Sequence, residues 1–173
     1  AENIQARLRM VTLMALSNAQ GQMLLTTANK SEMSVGYATL YGDMAGGYNV
    51  LKDAYKTTVF ALSRWRNRNR PEGALGPDGP VMPDNVIKKP PTAELRPGQL
   101  DQDSLPPYSD LDRILEALID KEMSVREVAL ATGEPEELVA RMEQLVLKAE
   151  YTRRQAPPGV KMGARNFGRD RRY

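Results

Sequence analysis

The stretch Met23-Leu-Leu-Thr-Thr-Ala-Asn-Lys-Ser-Glu32 decides how the chain is read. Its first five residues are a short apolar run between polar flanks, the pattern of a buried strand in a parallel sheet. The run closes on two hydroxyls, Thr26 and Thr27. Asn29 to Met33 then reads as the start of a short helix. In open α/β sheets ligands sit at such a strand end, and helix amides there suit anions. Glu32 falls one turn into the helix, where a carboxylate could hold a divalent cation. The competing reading makes Thr27 or Asn29 an ordinary helix cap and Glu32 a complement to the helix dipole. On spacing alone the capping reading is the commoner outcome.

Upstream, Ile4, Leu8, Val11, Ala15 and Leu16 recur at helical spacing, which predicts a helix over 3–18 stopped by Gly21 in a left-handed conformation. Downstream, Gly36 to Asn49 carries Gly36, Gly42, Gly46 and Gly47 and reads as a mobile loop. It is no P-loop, because the terminal Gly-Lys-Ser/Thr is missing. Lys56 to Arg66, with Val59, Leu62, Ser63 and Trp65, reads as a helix. Its first residue is a cation where the macrodipole disfavours one, a hint of an anion nearby.

Residues 70–108 hold all but three of the twelve prolines. Long connections of this kind are functional or disordered. One island, Ile87 to Leu95, reads as more structured. Residues 36–49 and 70–86 are expected to be weakly ordered, since glycine and proline leave little to pack.

The last third reads as helical. Leu111, Ile114, Leu115, Leu118 and Ile119 fill an i, i+3, i+4, i+7, i+8 template, with Ser109-x-x-Asp112 as its N-terminal cap. Ser124 to Ala131 is a second helix stopped by Thr132-Gly133. Pro135 to Tyr151 is a third, with Leu138, Met142, Leu145 and Val146 turned inward. The fold class is α/β, a parallel sheet with a predominantly helical C-terminal part.

Composition narrows the chemistry. The chain has 173 residues, no Cys and no His. Disulfides, thiolate or imidazole metal ligands, cysteine nucleophiles and histidine triads are therefore excluded. No run of about 18 apolar residues exists to span a membrane. The pattern of a secretory signal is absent as well. The chain opens on Ala1 with an amphipathic pattern running by residue 4, as expected of a piece of a longer protein.

Net charge is +2, but Arg153 to Tyr173 holds seven Lys or Arg against one acid. A basic end fits a solvated tail, an anionic substrate or nucleic acid. Ser124 to Met142 has the outline of a helix-turn-helix, which raises a DNA-binding alternative. Its second helix, however, opens with Glu134, Glu136 and Glu137, charges that would meet phosphates. A packing role for the helix pair is favoured.

Longer strings carry a resemblance. These are Asn3-Ile-Gln-Ala-Arg7, Leu25 to Glu32, Gly36 to Gly47, and Lys52-Asp53 with Lys56-Thr57. They continue with Lys88 to Leu95, Arg96-Pro-Gly, Asp103 to Tyr108, Glu150 to Gly159 and Phe167 to Tyr173. Together, from Glu2 to the end, they resemble NAD synthetases, and in detail the glutamine-dependent branch.

The resemblance implies a partial Rossmann-like sheet of the adenine nucleotide alpha-hydrolase type, in an N-type ATP pyrophosphatase. It implies adenylation of deamido-NAD by ATP, then displacement of AMP by ammonia from a glutaminase domain. ATP is a co-substrate and Mg2+ the cofactor. By matched position Thr27, Lys56 and Thr92 contact ATP. Asn3, Arg7, Glu32, Tyr37, Ala38, Thr39 and Leu40 fall in the deamido-NAD pocket, and Glu32 also on a magnesium position. The implied assembly is a homo-oligomer, a dimer or higher, with no nucleic-acid or membrane partner, in the cytoplasm.

Three departures stand out. The family's Ser-Gly-Gly-x-Asp-Ser phosphate loop is nowhere in the chain, so the chain by itself is expected not to catalyse the reaction. Thr152 stands where relatives usually carry a Lys for the dinucleotide, and Arg153 is the nearest cation that could replace it. Ala28 stands where Gly is common. The expected organisation is 1–69 as the C-terminal part of the nucleotide-binding core, 70–108 as the Pro/Gly-rich loop, 109–152 as a helical subdomain and 153–173 as a basic tail.

Overall fold

A computed structural model describes residues 2–167. Helix α1 (Glu2–Gln20) leads into a two-residue strand, β1 (Leu25–Thr26), and a short helix, α2 (Lys30–Val35). Strand β2 (Tyr48–Asn49) and helix α3 (Lys56–Arg68) follow. After α4 (Asp84–Lys88) and a 3-10 turn at Asp101–Asp103, the chain is helical: α5 (Tyr108–Leu115), α6 (Val125–Thr132), α7 (Glu136–Lys148) and α8 (Glu150–Arg153). α5 runs on through a π-helical turn at Glu116–Asp120.

The sheet is small and parallel. Leu25 pairs with Tyr48 and Thr26 with Asn49, and a further parallel bridge joins Asn49 to Gly159. Gly159 is required there by close approach, since a Cβ would lie 2.4 Å from the Asn49 carbonyl oxygen. Only one face of β1 is covered: Thr26 is buried while Leu25 is half exposed. The strand is thus parallel as expected but not buried on both sides.

The main core lies under the C-terminal helices. Leu111, Ile114, Leu115, Leu118 and Ile119 are all buried, as their spacing requires. They pack on Val128 of α6 and on Val139, Met142 and Val146 of α7, and each such aliphatic contributes about 2 kcal/mol by leaving water. Leu138 and Leu145 flank this seam half-buried, and Val139 holds its centre. α6 has a full capping box between Ser124 and Glu127 and ends at Gly133 with φ +76°. The helix pair α6 and α7 packs face to face and against α5, the packing role expected of it. α2 and α3 sit on this helical layer. A second cluster of Ala28, Met33, Met44 and Ala156 fills the space behind the strand end.

Several expectations are corrected. The apolar stripe of α1 does not face this core: Ile4, Leu8, Val11 and Leu16 are exposed, and the helix packs through Ala6 and Met10 instead. Residues 36–49 are a folded turn rather than a mobile loop. Thr39 N–H donates to Asp43 Oδ1 at 2.7 Å, and Met44 and Asn49 are buried. Residues 70–82 are tied to α3 by side chains. Arg66 donates to the Pro77 and Gly79 carbonyls, and the Asn67 carboxamide oxygen accepts from Val81 and Met82 N–H. Arg153, at the head of the basic tail, is buried and not solvated. Residues 168–173, which hold most of the Phe167 to Tyr173 string, lie outside the described residues.

Asp112 is not a cap. α5 starts at Tyr108 behind Pro107, and Asp112 is buried within it. Its Oδ1 accepts from Ser31 Oγ at 2.5 Å, and its Oδ2 accepts from Thr57 N–H at 2.8 Å and Thr57 Oγ1 at 2.7 Å. One carboxylate therefore ties α2 and α3 to the helical layer.

Truncation of this side chain, Asp112→Ala, leaves the Thr57 amide and the buried Ser31 hydroxyl without their acceptor. It should lower the unfolding free energy by about 3 kcal/mol in urea denaturation. Burial pushes the Asp112 carboxyl above the usual carboxylate range, against the lowering by its Ser31 and Thr57 hydrogen bonds. A raised folded pKa favours the protonated form in the native state. Its contribution is therefore fully present below the ordinary carboxylate value and is lost as pH rises through the folded one. The stability difference between the wild type and Asp112→Asn should shift against the wild type across that interval.

Candidate functional site

A cleft of about 590 Å³ opens at the C-terminal end of β1. The first turns of α2 and α3 form its floor, the start of α1 and the turn at 36–43 form one wall, and residues 92–101 form the other. Thr27, Glu32, Lys56 and Thr92, far apart in sequence, all line it.

Local chemistry places each. Asn29 caps α2: its Oδ1 accepts from Glu32 N–H at 3.0 Å, while Glu32 Oε2 accepts from Asn29 N–H at 3.2 Å. This reciprocal box is the capping reading of Glu32, and it is present. The other carboxylate oxygen, Oε1, faces the cleft and pairs with Lys56 Nζ at 2.9 Å. Lys56 stands at the first position of α3, where its amide donates to Ser31 Oγ at 2.9 Å. Its ammonium lies 5.3 Å from the centre of the Tyr108 ring. Thr92 Oγ1 accepts from Glu94 N–H at 3.1 Å, a turn held by the left-handed backbone of Glu94 at φ +54°.

Asn3, Tyr37, Ala38 and Thr39 line the same cleft from the α1 side, with Thr39 Oγ1 donating to Asn3 Oδ1 at 3.3 Å. Arg7 and Leu40 sit just behind this wall, joined by a hydrogen bond from Arg7 Nε to the Leu40 carbonyl at 3.1 Å. Thr152 and Arg153 do not line the cleft. Arg153 donates to the Ser34 carbonyl at 2.9 Å, and its guanidinium lies over the Phe167 ring at 4.6 Å.

Asp101, Gln99 and Asp43 also line the cleft, and no pattern in the sequence marks them. Asp101 is buried and accepts the Tyr108 hydroxyl at 2.7 Å on Oδ2. Tyr37 stands beside it, and burial followed by the Asp101 charge pushes its phenol up to about 12. Both phenols therefore remain hydroxyl donors at neutral pH. The site thus offers one cation, several hydroxyls and four carboxylates, Glu2, Glu32, Asp43 and Asp101, of which Glu32 is in contact with the cation. That combination suits an oxyanion ligand whose arrival competes with Glu32 for Lys56.

Among the described residues no three acidic side chains cluster to hold a metal on their own. Glu32 is the carboxylate best placed to share one. Mg2+ is bound through one or two carboxylates together with substrate phosphates and water, so the donor set fits a shared ion of that kind. No helix among the described residues is long and apolar enough to cross a membrane.

Comparison with known proteins bears on the family and the fold. The NAD synthase family model matches residues 1–156. The chain is 54% identical over 172 residues to a glutamine-dependent NAD(+) synthetase of Rhodobacter capsulatus, covering 99% of this chain and 31% of that protein. It is also 54% identical over 172 residues to the enzyme of the same name from Xanthomonas campestris, of which it covers 30%. The crystal structure of a glutamine-dependent NAD(+) synthetase from Cytophaga hutchinsonii superposes with a TM-score of 0.71 at 28% identity, over 95% of this chain and 26% of that one. The chain thus spans a little under a third of the length of the curated relatives it matches. By the extent of the family match, the α/β fold with its parallel strand pair and the cleft at the strand end, this chain belongs to the NAD synthase family.

Proposed function

We propose that the cleft is one part of the ATP and deamido-NAD site of a glutamine-dependent NAD synthetase. The observation that carries the reading is the convergence of Thr27, Glu32, Lys56 and Thr92 on one cleft at the end of β1. In the reaction a carboxylate oxygen of deamido-NAD attacks the α-phosphorus of ATP and pyrophosphate leaves. Ammonia then attacks the adenylated carboxyl carbon, AMP leaves, and the amide nitrogen loses a proton.

The chain's share of this work is electrostatic. The Lys56 ammonium offsets charge on the phosphates, the main service such a site performs in phosphoryl chemistry. The Thr27 and Thr92 hydroxyls donate to phosphate oxygens. Glu32 releases Lys56 when the nucleotide enters, and its carboxylate would be the group of this chain that helps hold Mg2+. When bound, Mg2+ supplies charge neutralisation on the same oxygens. Asn3, Arg7 and Tyr37, Ala38, Thr39 and Leu40 form the deamido-NAD side. No step asks for an imidazole, in keeping with a chain that has none.

Ammonia comes from a glutaminase domain in this reading, and the ligase works as a homo-oligomer in the cytoplasm, where ATP is available. The exposed apolar stripe of α1, Ile4, Leu8, Val11 and Leu16, supports burial against another copy or the rest of the ligase domain.

In the intact synthetase, Lys56→Ala and Glu32→Ala should each lower kcat/KM for ATP by about a hundredfold, the scale of lost electrostatic stabilisation. Circular dichroism should be unchanged. Near-normal rates in either variant would remove that residue from the site.

A further inference from the structure

Behind the cleft lies a second polar cluster, and the cleft chemistry does not use it. Lys30, the first residue of α2, is 2% exposed. Its ammonium meets Asp120 Oδ1 at 2.9 Å, Asp53 Oδ1 at 3.0 Å and the Arg165 carbonyl at 2.8 Å. The Tyr55 ring lies 4.8 Å from it, and the Tyr55 hydroxyl donates to Asp120 Oδ2 at 2.7 Å. Asp53 Oδ2 in turn accepts from Met162 and Gly163 N–H at 2.6 and 2.7 Å.

Four segments meet at this one ammonium: the start of α2, the turn before α3, the end of the π-helical turn and the C-terminal segment. Each partner of the cleft ion pair is a near neighbour in sequence. Glu32 lies two residues after Lys30, and Lys56 directly follows Tyr55. The Lys30 N–H also donates to the Ala54 carbonyl at 2.9 Å, so backbone and side chain both join the two helix starts.

The C-terminal segment is fixed to the same region from its other end. Lys52 Nζ donates to the Pro157 carbonyl at 2.7 Å, Asn49 N–H donates to that of Pro158 at 2.9 Å, and Gly159 bridges Asn49. The family match stops at residue 156, whereas the alignments with the two relatives take in 172 of the 173 residues.

We infer that Lys30 is a positioning residue. Through Asp53, Asp120 and the carbonyl at 165, it uses the C-terminal segment to hold the first turns of α2 and α3 in the register that brings Glu32 and Lys56 into contact. A buried ammonium is tolerable only with such partners. Directional partners on four segments leave it one arrangement, whereas an apolar side chain would accept several. The inference rests on the proposed function only for what the Glu32–Lys56 pair does, not for how the pair is held.

The test needs no nucleotide, so its outcome is separable from the assignment of the cleft to ATP. In the full chain, the nuclear Overhauser contact between the Lys56 ε-methylene and the Glu32 γ-methylene reports the pair directly. Amide protection in α7, at Val139 and Met142, reports the fold. Two variants are compared: Lys30→Met, and the charge-balanced Lys30→Met/Asp53→Asn/Asp120→Asn, which leaves no unpaired carboxylate if the first fails to fold. The expected result is loss of the Overhauser contact in a variant whose α7 amides stay within tenfold of wild-type protection. A purely structural ion cluster would lower protection throughout and leave the contact in place. Persistence of the contact in either folded variant would overturn the inference. So would failure of both variants to fold, since Lys30 would then be needed for the fold itself rather than for the placement of one pair.

Discussion

Two helices have to begin side by side at the end of a two-residue strand, and the buried carboxylate of Asp112 is what joins them. It accepts from Ser31 in the first turn of α2 and from Thr57 in the first turn of α3. Ser31 passes the connection on by accepting the Lys56 amide. A carboxylate buried this way is stable only while its donors stay in place. The chain of bonds from α5 to Ser31 to Lys56 therefore fixes where the ammonium of the cleft can reach. Without it, the starts of α2 and α3 would be joined through Lys30 alone, by its N–H to the Ala54 carbonyl and its ammonium to Asp53.

The division of labour follows from this constraint. The aliphatic seam of α5, α6 and α7 supplies a buried layer whose residues do not line the cleft. Polar groups at the edge of that layer, buried Asp112 on one side and buried Lys30 and Asp53 with half-buried Asp120 on the other, hold the helix starts. The cleft groups stand one or two residues farther along. Glu32 serves both levels, with one oxygen closing the cap of its own helix and the other reaching into the cleft. The capping and functional readings of that residue are two halves of one geometry.

Much of this was legible in the sequence wherever a local period or a local rule applied. The i, i+3, i+4 spacing from Leu111 to Ile119 identified the core face. Ser124 with Glu127, and Gly133, marked the ends of α6. Thr27 to Glu32 announced a strand end turning into a helix. The order of residues 36–49 could not be read, because it comes from Asp43 binding back to Thr39 and from Met44 filling a distant cluster. Asp112 looked like a cap because its partners lie 55 and 81 residues away. The stripe of α1 has the period of a packed helix, yet Ile4, Leu8, Val11 and Leu16 lie exposed among the described residues. Asp101 emerged as a wall of the cleft only once the chain from 92 to 101 had folded over it.

We propose that the Glu32–Lys56 pair marks where a triphosphate is gripped. A crystal structure of the intact synthetase with a non-hydrolysable ATP analogue tests it most directly. The account predicts phosphate oxygens within hydrogen-bonding distance of Lys56 Nζ and of the Thr27 and Thr92 hydroxyls, with Glu32 released from Lys56. Phosphates bound elsewhere, with the pair still closed, would contradict it.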